Sequence, residues 1–285
     1  LVGSEMCIRD RFYIMKKLIL IFFPFLFVSC SVKHKKTFDY IFNKTEAITL
    51  EQSKLTLSKD ITVLSFSDSS MVDRNSSIIK VDSGWIVYSK NSESSILSFT
   101  SDGQFSGYIG HRGNGPGEYT SVYDVVVNQK SKVLEVLSDG GIFCYTFGGD
   151  FLDKKEVTYP AFSFAIDDRQ NYWFYVGNNT TYGDAKMICT DENIANVAYY
   201  LHQKSNMLPM VENNFGRNGE WLTFHESLNH DLYTIENGKL DLSYAMDFPN
   251  YKLPKKLHEL SGMEVIEELQ RSNYCLLYTS PSPRD

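Results

Sequence analysis

Thr100-Ser101-Asp102-Gly103-Gln104-Phe105 reads as the turn of a β-hairpin, and its punctuation returns three times down the chain. The later copies are Thr146-Phe147-Gly148-Gly149-Asp150-Phe151, Thr190-Asp191-Glu192-Asn193-Ile194 and Thr234-Ile235-Glu236-Asn237-Gly238-Lys239-Leu240. Small polar residues and glycine supply the left-handed backbone that a tight hairpin needs, and an apolar residue then opens the returning strand. Those closing residues, Phe105, Phe151, Ile194 and Leu240, lie 46, 43 and 46 positions apart. A period of this length, filled with short strands, is the sequence form of a four-stranded propeller blade.

Outward from each hairpin the strands fall into place. Ser76–Val81 and Trp85–Ser89 precede Ser95–Phe99 and Phe105–Ile109 in the first unit. The second runs Asp124–Val127, Val133–Leu137, Ile142–Thr146 and Phe151–Val157, and the third Phe162–Ile166, Tyr172–Val176, Lys186–Thr190 and Ile194–Tyr199. The fourth has Trp221–Phe224, Asp231–Ile235 and Leu240–Met246, with a weakly marked first strand expected near Met207–Val211. β-Branched and aromatic residues dominate these runs. Trp85, Trp173 and Trp221 all fall in the second strand of a unit, which supports the same register. Apolar residues between Lys255 and Ser272 approach helical spacing, so a helical insertion is expected over about 254–272. The expected fold is all-β, a propeller of four-stranded blades.

Between the first two units lies Ile109-Gly110-His111-Arg112-Gly113-Asn114-Gly115-Pro116-Gly117-Glu118-Tyr119. This stretch, with the second unit after it, resembles the NHL-type repeat, and more closely the six-bladed β-propeller lipoproteins of the Bacteroidota. The resemblance covers about residues 60–255 and implies a six-bladed ring of which about four blades are present. Phe215-Gly216-Arg217-Asn218-Gly219-Glu220-Trp221 is a partial echo that lacks the proline. The loop is no P-loop, because no Gly-Lys-Ser/Thr follows and no helix opens after it. Its glycines suit a chain that must cross from the outer strand of one blade to the inner strand of the next. His111, Arg112, Asn114, Glu118 and Tyr119 on this loop are the first ligand-binding candidates. Tyr182, in the polar loop Asn178–Gly183, is expected on the same side and could stack on a sugar or peptide.

Both ends of the chain read as foreign. One DNA word, translated in its two orientations, yields both the Leu1–Asp10 and the Cys275–Arg284 peptides, as a sequencing-library adaptor would. Residues 1–14 and 275–285 are therefore set apart as adaptor and upstream translation, and the reading frame is expected to continue past Tyr274 for two further repeats. Met15-Lys16-Lys17 and the apolar run Leu18–Val28 form a signal peptide over 15–29, too short to span a bilayer. It ends Phe27-Val28-Ser29-Cys30, close to a lipobox, so Cys30 is the expected lipidation site, with a tether to residue 60 and the partial propeller over 61–274. The basic run Lys33-His34-Lys35-Lys36 points to an outer-membrane lipoprotein that faces the periplasm.

Residues 1–29 hold four basic and two acidic side chains, so their removal takes the formal charge from −7 to −9. That balance argues against nucleic acid as a partner and leaves the lipid anchor as the only membrane contact. Cys144 and Cys189 lie one period apart, too far for a disulfide between equivalent positions of neighbouring blades, and read as small buried hydrophobes. His225-Glu226 with His230 is one residue too long for a helical zinc pattern and reads as solvated loop. Asp167-Asp168 reads as a turn, since adjacent carboxylates on extended chain point apart. No metal, cofactor or catalytic residue is assigned. The expected function is a non-catalytic module that binds an envelope protein, a peptide or a glycan. The alternative is an enzyme on the same scaffold, of the metal-dependent lactonase or lyase type.

Overall fold

The computed structural model describes residues 38–41, 61–65, 72, 76–90, 95–177, 183–202, 213–219, 221–226, 229, 231–247, 257, 259–260 and 263–271. All of them belong to the second of two units of the chain, Thr37–Asp285. Strand β1 (Phe38–Ile41) comes first. Blade 1 is β2 (Ser77–Val81), β3 (Gly84–Tyr88), β4 (Ile96–Thr100) and β5 (Phe105–Ile109). Two short strands of the glycine-rich loop, β6 (His111–Arg112) and β7 (Glu118–Tyr119), pair in parallel. Blade 2 is β8 (Asp124–Asn128), β9 (Val133–Ser138), β10 (Gly141–Tyr145) and β11 (Phe151–Glu156). Blade 3 is β12 (Ser163–Ile166), β13 (Tyr172–Tyr175), β14 (Met187–Thr190) and β15 (Ala198–Tyr200). Blade 4 is β16 (Phe215–Asn218), β17 (Trp221–His225), β18 (Asp231–Glu236) and β19 (Lys239–Asp247). Each blade is an antiparallel meander in chain order, and β1 adds a fifth, parallel strand to the outer edge of blade 4. Helix α1 (Met263–Arg271) follows inside the stretch where helical spacing was read.

Alternation along the strands divides each blade between its two neighbours. Ile86 and Tyr88 of β3 meet Leu134 and Val136 of β9 in one buried cluster, with Tyr145 of β10. Leu137 and Cys144 point the other way, into a second cluster with Phe164, Tyr172 and Phe174 of blade 3. Trp173 and Tyr175, the alternate residues of β13, reach forward to Leu222 and Phe224 of blade 4. The core is therefore a series of blade junctions, with the first strands β8, β12 and β16 set side by side around the axis. On the remaining face of blade 1, Val87, Leu97 and Phe99 are covered in part by Leu64. There Ser65 accompanies the first hairpin turn, its N–H donating to Gly103 O at 2.8 Å.

Two strand assignments need correction. The first strand of blade 4 is Phe215–Asn218, not the Met207–Val211 segment, which lies outside the described residues. The Phe-Gly-Arg-Asn-Gly echo is thus a strand and its turn, with Gly219 at φ +60° carrying the chain into β17. Gly216 disguises this four-residue strand, because it removes a side chain that a periodicity reading needs. In blade 3 the repeat is slipped by one residue. Asp191, not Thr190, takes the place of Thr100 and Thr146, since Asp191 N bonds Ala195 O and Ile194 N bonds Asp191 O. Ile194 therefore sits at the left-handed position (φ +59°) that Gly103 and Gly149 fill elsewhere, and it does not open β15.

Candidate ligand-binding site

The glycine-rich loop is built inward. Glu118 Oε2 accepts the Gly115 N–H at 2.8 Å, and a Cβ on Gly113 would lie only 2.0 Å from the same oxygen. The carboxylate therefore fastens its own loop, and a side chain at position 113 would push it off the Gly115 N–H. Tyr119 is 1% exposed; its hydroxyl donates to Ile109 O and accepts from Ile96 N, both at 3.2 Å. Its ring meets Tyr145 edge-on at 6.2 Å. Tyr119 is thus a core residue, and no ligand reaches it. Tyr145 OH donates to Gly117 O at 2.9 Å, and a Cβ on Gly110 would strike the Tyr145 ring at 2.6 Å. His111, Arg112 and Asn114 remain on the surface, with Arg112 Nε donating to Thr120 O at 2.9 Å. Tyr182 and Cys30 lie outside the described residues.

The described residues form a cleft at the opposite end of the first strands. The glycine loop delivers the chain to Asp124, where β8 begins, whereas the cleft opens where β8 ends, a strand length of about 16 Å away at ~3.3 Å per residue. Its volume is about 320 Å³, with Val127 and Ile166 as apolar lining and a rim made of the turns of two blades and a strand residue of a third. Gln129 and Lys130 come from the β8–β9 turn, Asp168 and Gln170 from the β12–β13 turn, and Arg217 from β16. Asp167 is the keystone of the middle turn. Its Oδ1 accepts the N–H groups of Arg169 and Asn171, and its Oδ2 accepts Asn171 Nδ2 at 2.9 Å and Trp173 Nε1 at 3.0 Å. Arg217 joins blade 4 to this turn, donating Nη2 to Ile166 O and pairing Nη1 with Asp168 at 3.5 Å. Asn128 also faces inward, donating Nδ2 to Glu135 at 3.0 Å and accepting the N–H groups of Lys130 and Ser131 at Oδ1.

Each blade junction carries a lysine, a tyrosine and a carboxylate, buried except for Lys155, which is part-exposed. Between blades 1 and 2, Lys90 Nζ lies 2.8 Å from Asp124 Oδ1, and Asp124 Oδ2 accepts Phe164 N of blade 3 at 3.1 Å. Burial, ahead of the Asp124 charge, pushes the Tyr88 phenol up here. Burial also raises Asp124 above the ordinary aspartate value, against the opposing pull of Lys90. Between blades 2 and 3, Glu135 accepts Tyr172 OH at 2.8 Å and lies 3.9 Å from Lys155 Nζ. Between blades 3 and 4, Glu226 accepts Tyr175 OH at 2.8 Å and pairs with Lys186 at 2.9 Å. Glu226 is therefore a buried partner and not the solvated loop residue expected. His225 beside it is held below the usual imidazole value by burial. His230 lies outside the described residues. Cys144 and Cys189 are buried free thiols, each pushed up to about 12, first by burial.

Among the described residues no cluster of three or more His, Cys, Asp or Glu side chains could hold a metal ion. The groups that line the cleft, Gln129, Lys130, Gln170 and Arg217, escaped the sequence reading. The one signal was positional: all lie at or beside the turn after a first strand.

A search of the solved structures finds a Bacteroides fragilis protein described as exported, 15% identical, with a TM-score of 0.69 over 84% of this chain and 69% of that one. A member of the DUF4221 family from Bacteroides vulgatus is 12% identical, with a TM-score of 0.48 over 72% of this chain and 67% of that one. At 15% identity the first likeness is one of fold. No curated protein matches the sequence. The model of one family, described as a domain of unknown function, DUF4934, matches residues 63–280. That match takes in the four blades and the cleft between three of them, and the chain belongs to the DUF4934 family.

Proposed function

We propose that the protein is a lipid-anchored propeller of the cell envelope that binds a ligand or a partner protein without transforming it. In this reading residues 15–29 are the signal peptide, Cys30 carries the lipid, 30–60 tether the domain, and the blades belong to a six-bladed, NHL-like ring facing the periplasm. In the same reading residues 1–14 are adaptor and upstream translation, and 275–285 are adaptor. The fold shared with a Bacteroides protein described as exported supports an envelope or secreted location.

The observation that carries the binding role is the cleft. It is of small-ligand size, gathered from three blades, and its carboxylates are already engaged with donors: Asp167 with four, Asp168 with Arg217. Such groups hold a shape; they are not poised as a free acid and base. The test is to incubate the purified chain from Ser31 onward with envelope peptides and glycans, following binding by calorimetry and composition by mass spectrometry. Saturable binding with the ligand recovered unchanged is the expected result. Time-dependent conversion of a bound compound would replace this reading with an enzymatic one. Lipidation is checked separately: a palmitate analogue should label the full chain, and Cys30→Ala should abolish the label.

A further inference from the structure

The two cations and two carboxylates around the cleft sum to zero but do not pair off one to one. Asp167 is buried and accepts four donors, so its charge is turned into its own turn. Asp168 faces Arg217. Lys130 is different: it is exposed, and its ammonium has no ion-pair or hydrogen-bond partner among the described residues. The side-chain amides of Gln129 and Gln170 are equally without partners among them. One cation and two amides thus border an apolar floor of Val127 and Ile166.

Gln170 is held at a fixed place in its turn. It holds φ +67°, a left-handed conformation in which any side chain but glycine is disfavoured. The hairpin itself would be better served by glycine, as it is at Gly103 and Gly149. Ile194 holds the same place in its own turn with no cleft beside it among the described residues, so the conformation fixes where the Gln170 amide stands rather than marking a site by itself.

We infer that this cleft binds a small ligand through a carboxylate, with Lys130 as the charge partner and Gln129 and Gln170 as hydrogen-bonding groups to the atoms beside it. The inference rests on the binding-module reading and names its ligand chemistry. Two sources share that chemistry, an acidic sugar and the carboxyl terminus of a peptide. A cavity of about 320 Å³ suits one ring or one terminal residue.

The experiment titrates the chain with D-galacturonate against D-galactose, and with N-acetylalanine against N-acetylalanine amide, by calorimetry or ligand-observed NMR. The expected result is that at least one acid binds and its uncharged counterpart does not. Whichever acid binds names the source. Lys130→Gln should weaken the productive acid about tenfold, the scale of one charge-assisted hydrogen bond. Gln170→Gly should weaken it too while leaving the thermal midpoint equal or higher, a combination that a purely structural Gln170 would not give. Equal binding of acid and amide, or an affinity untouched by Lys130→Gln in a folded variant, overturns the carboxylate assignment. Failure of all four probes also overturns it, while binding of any envelope component elsewhere would leave the module reading standing.

Discussion

Ile194 shows what one residue can do against its neighbours' interests. Of the hairpins that join a third strand to a fourth, three use the same hydrogen-bond pattern, and two of them place glycine where φ is positive. The third places a β-branched isoleucine at φ +59°, a conformation that costs on the order of 1–2 kcal/mol. Its side chain recovers part of that cost, because it packs against the cluster around Phe174 while only half-buried. Ile194→Asn keeps a residue tolerant of the left-handed region and should raise stability by about 1 kcal/mol in urea unfolding. A drop instead would mean that the contact with the Phe174 cluster outweighs the strain. His225 gives a second residue-scale expectation. Burial lowers its folded-state value below 6.5, so the folded protein resists a proton that the unfolded chain accepts. Stability from this group is complete above pH 6.5 and falls as pH drops towards the lowered value. His202 slopes the other way, since its hydrogen bond to Asp184 raises it and that contribution fades as pH climbs. Being fully exposed, His202 is the weaker of the two. Asp124, raised by burial, contributes with the opposite sign to His225, so the expectation is a difference: between pH 6.5 and 5 His225→Gln should lose less stability, or gain more, than the wild type, as read from unfolding midpoints.

At the scale of elements, the blades were legible and the devices that join them were not. Gly103, Gly149 and Gly238 mark hairpins because turn chemistry is local, and the alternation of Trp173 with Phe174 is local too. The Lys186–Glu226–Tyr175 set spans up to 51 residues, and the Glu135–Tyr172 bond spans 37. In the sequence these are isolated charges and aromatics with nothing to tie them together. The one-residue slip at Asp191 has the same origin, because an aspartate side chain performs there what a threonine hydroxyl does in the other two turns. Asp191 Oδ1 accepts Asn193 N and Ala195 N, whereas Thr146 Oγ1 accepts Asp150 N. The buried sets make a quantitative expectation. Glu226→Ala strands the Lys186 ammonium in a site about nine-tenths buried and should cost roughly 3–5 kcal/mol. Replacing both partners, as in Lys186→Met with Glu226→Leu, should recover most of that loss, because desolvation opposes the pair as well as holding it. Urea titration of the two variants and wild type decides it; a double variant as unstable as Glu226→Ala would show that the tyrosine hydroxyl, not the ion pair, carries the junction.

Across the whole domain, the sequence periodicity identified the architecture because every junction repeats one packing solution, alternate faces of each strand serving two neighbours. It did not reveal the cleft for the same reason. The glycine loop is the loudest local motif, yet Glu118 and Tyr119 are consumed in holding it, and the cleft arises only where residues of three blades converge. The parallel strand β1 was equally invisible, since it joins residues some 200 positions apart in register Phe38↔Tyr244 to Ile41↔Asp247. Its place has a physical consequence. β19 runs from Lys239 to Asp247, and without β1 its outer edge would offer unpaired N–H and C=O groups to any other strand. β1 covers the last four residues of that edge. A chain beginning at residue 42 should therefore keep its blade structure by circular dichroism and yet self-associate with rising concentration, while the longer chain does so less. Light scattering coupled to gel filtration measures the difference. If β1 instead contributes folding energy alone, the shortened chain should unfold at lower urea and elute at the same apparent mass as the longer one at every concentration.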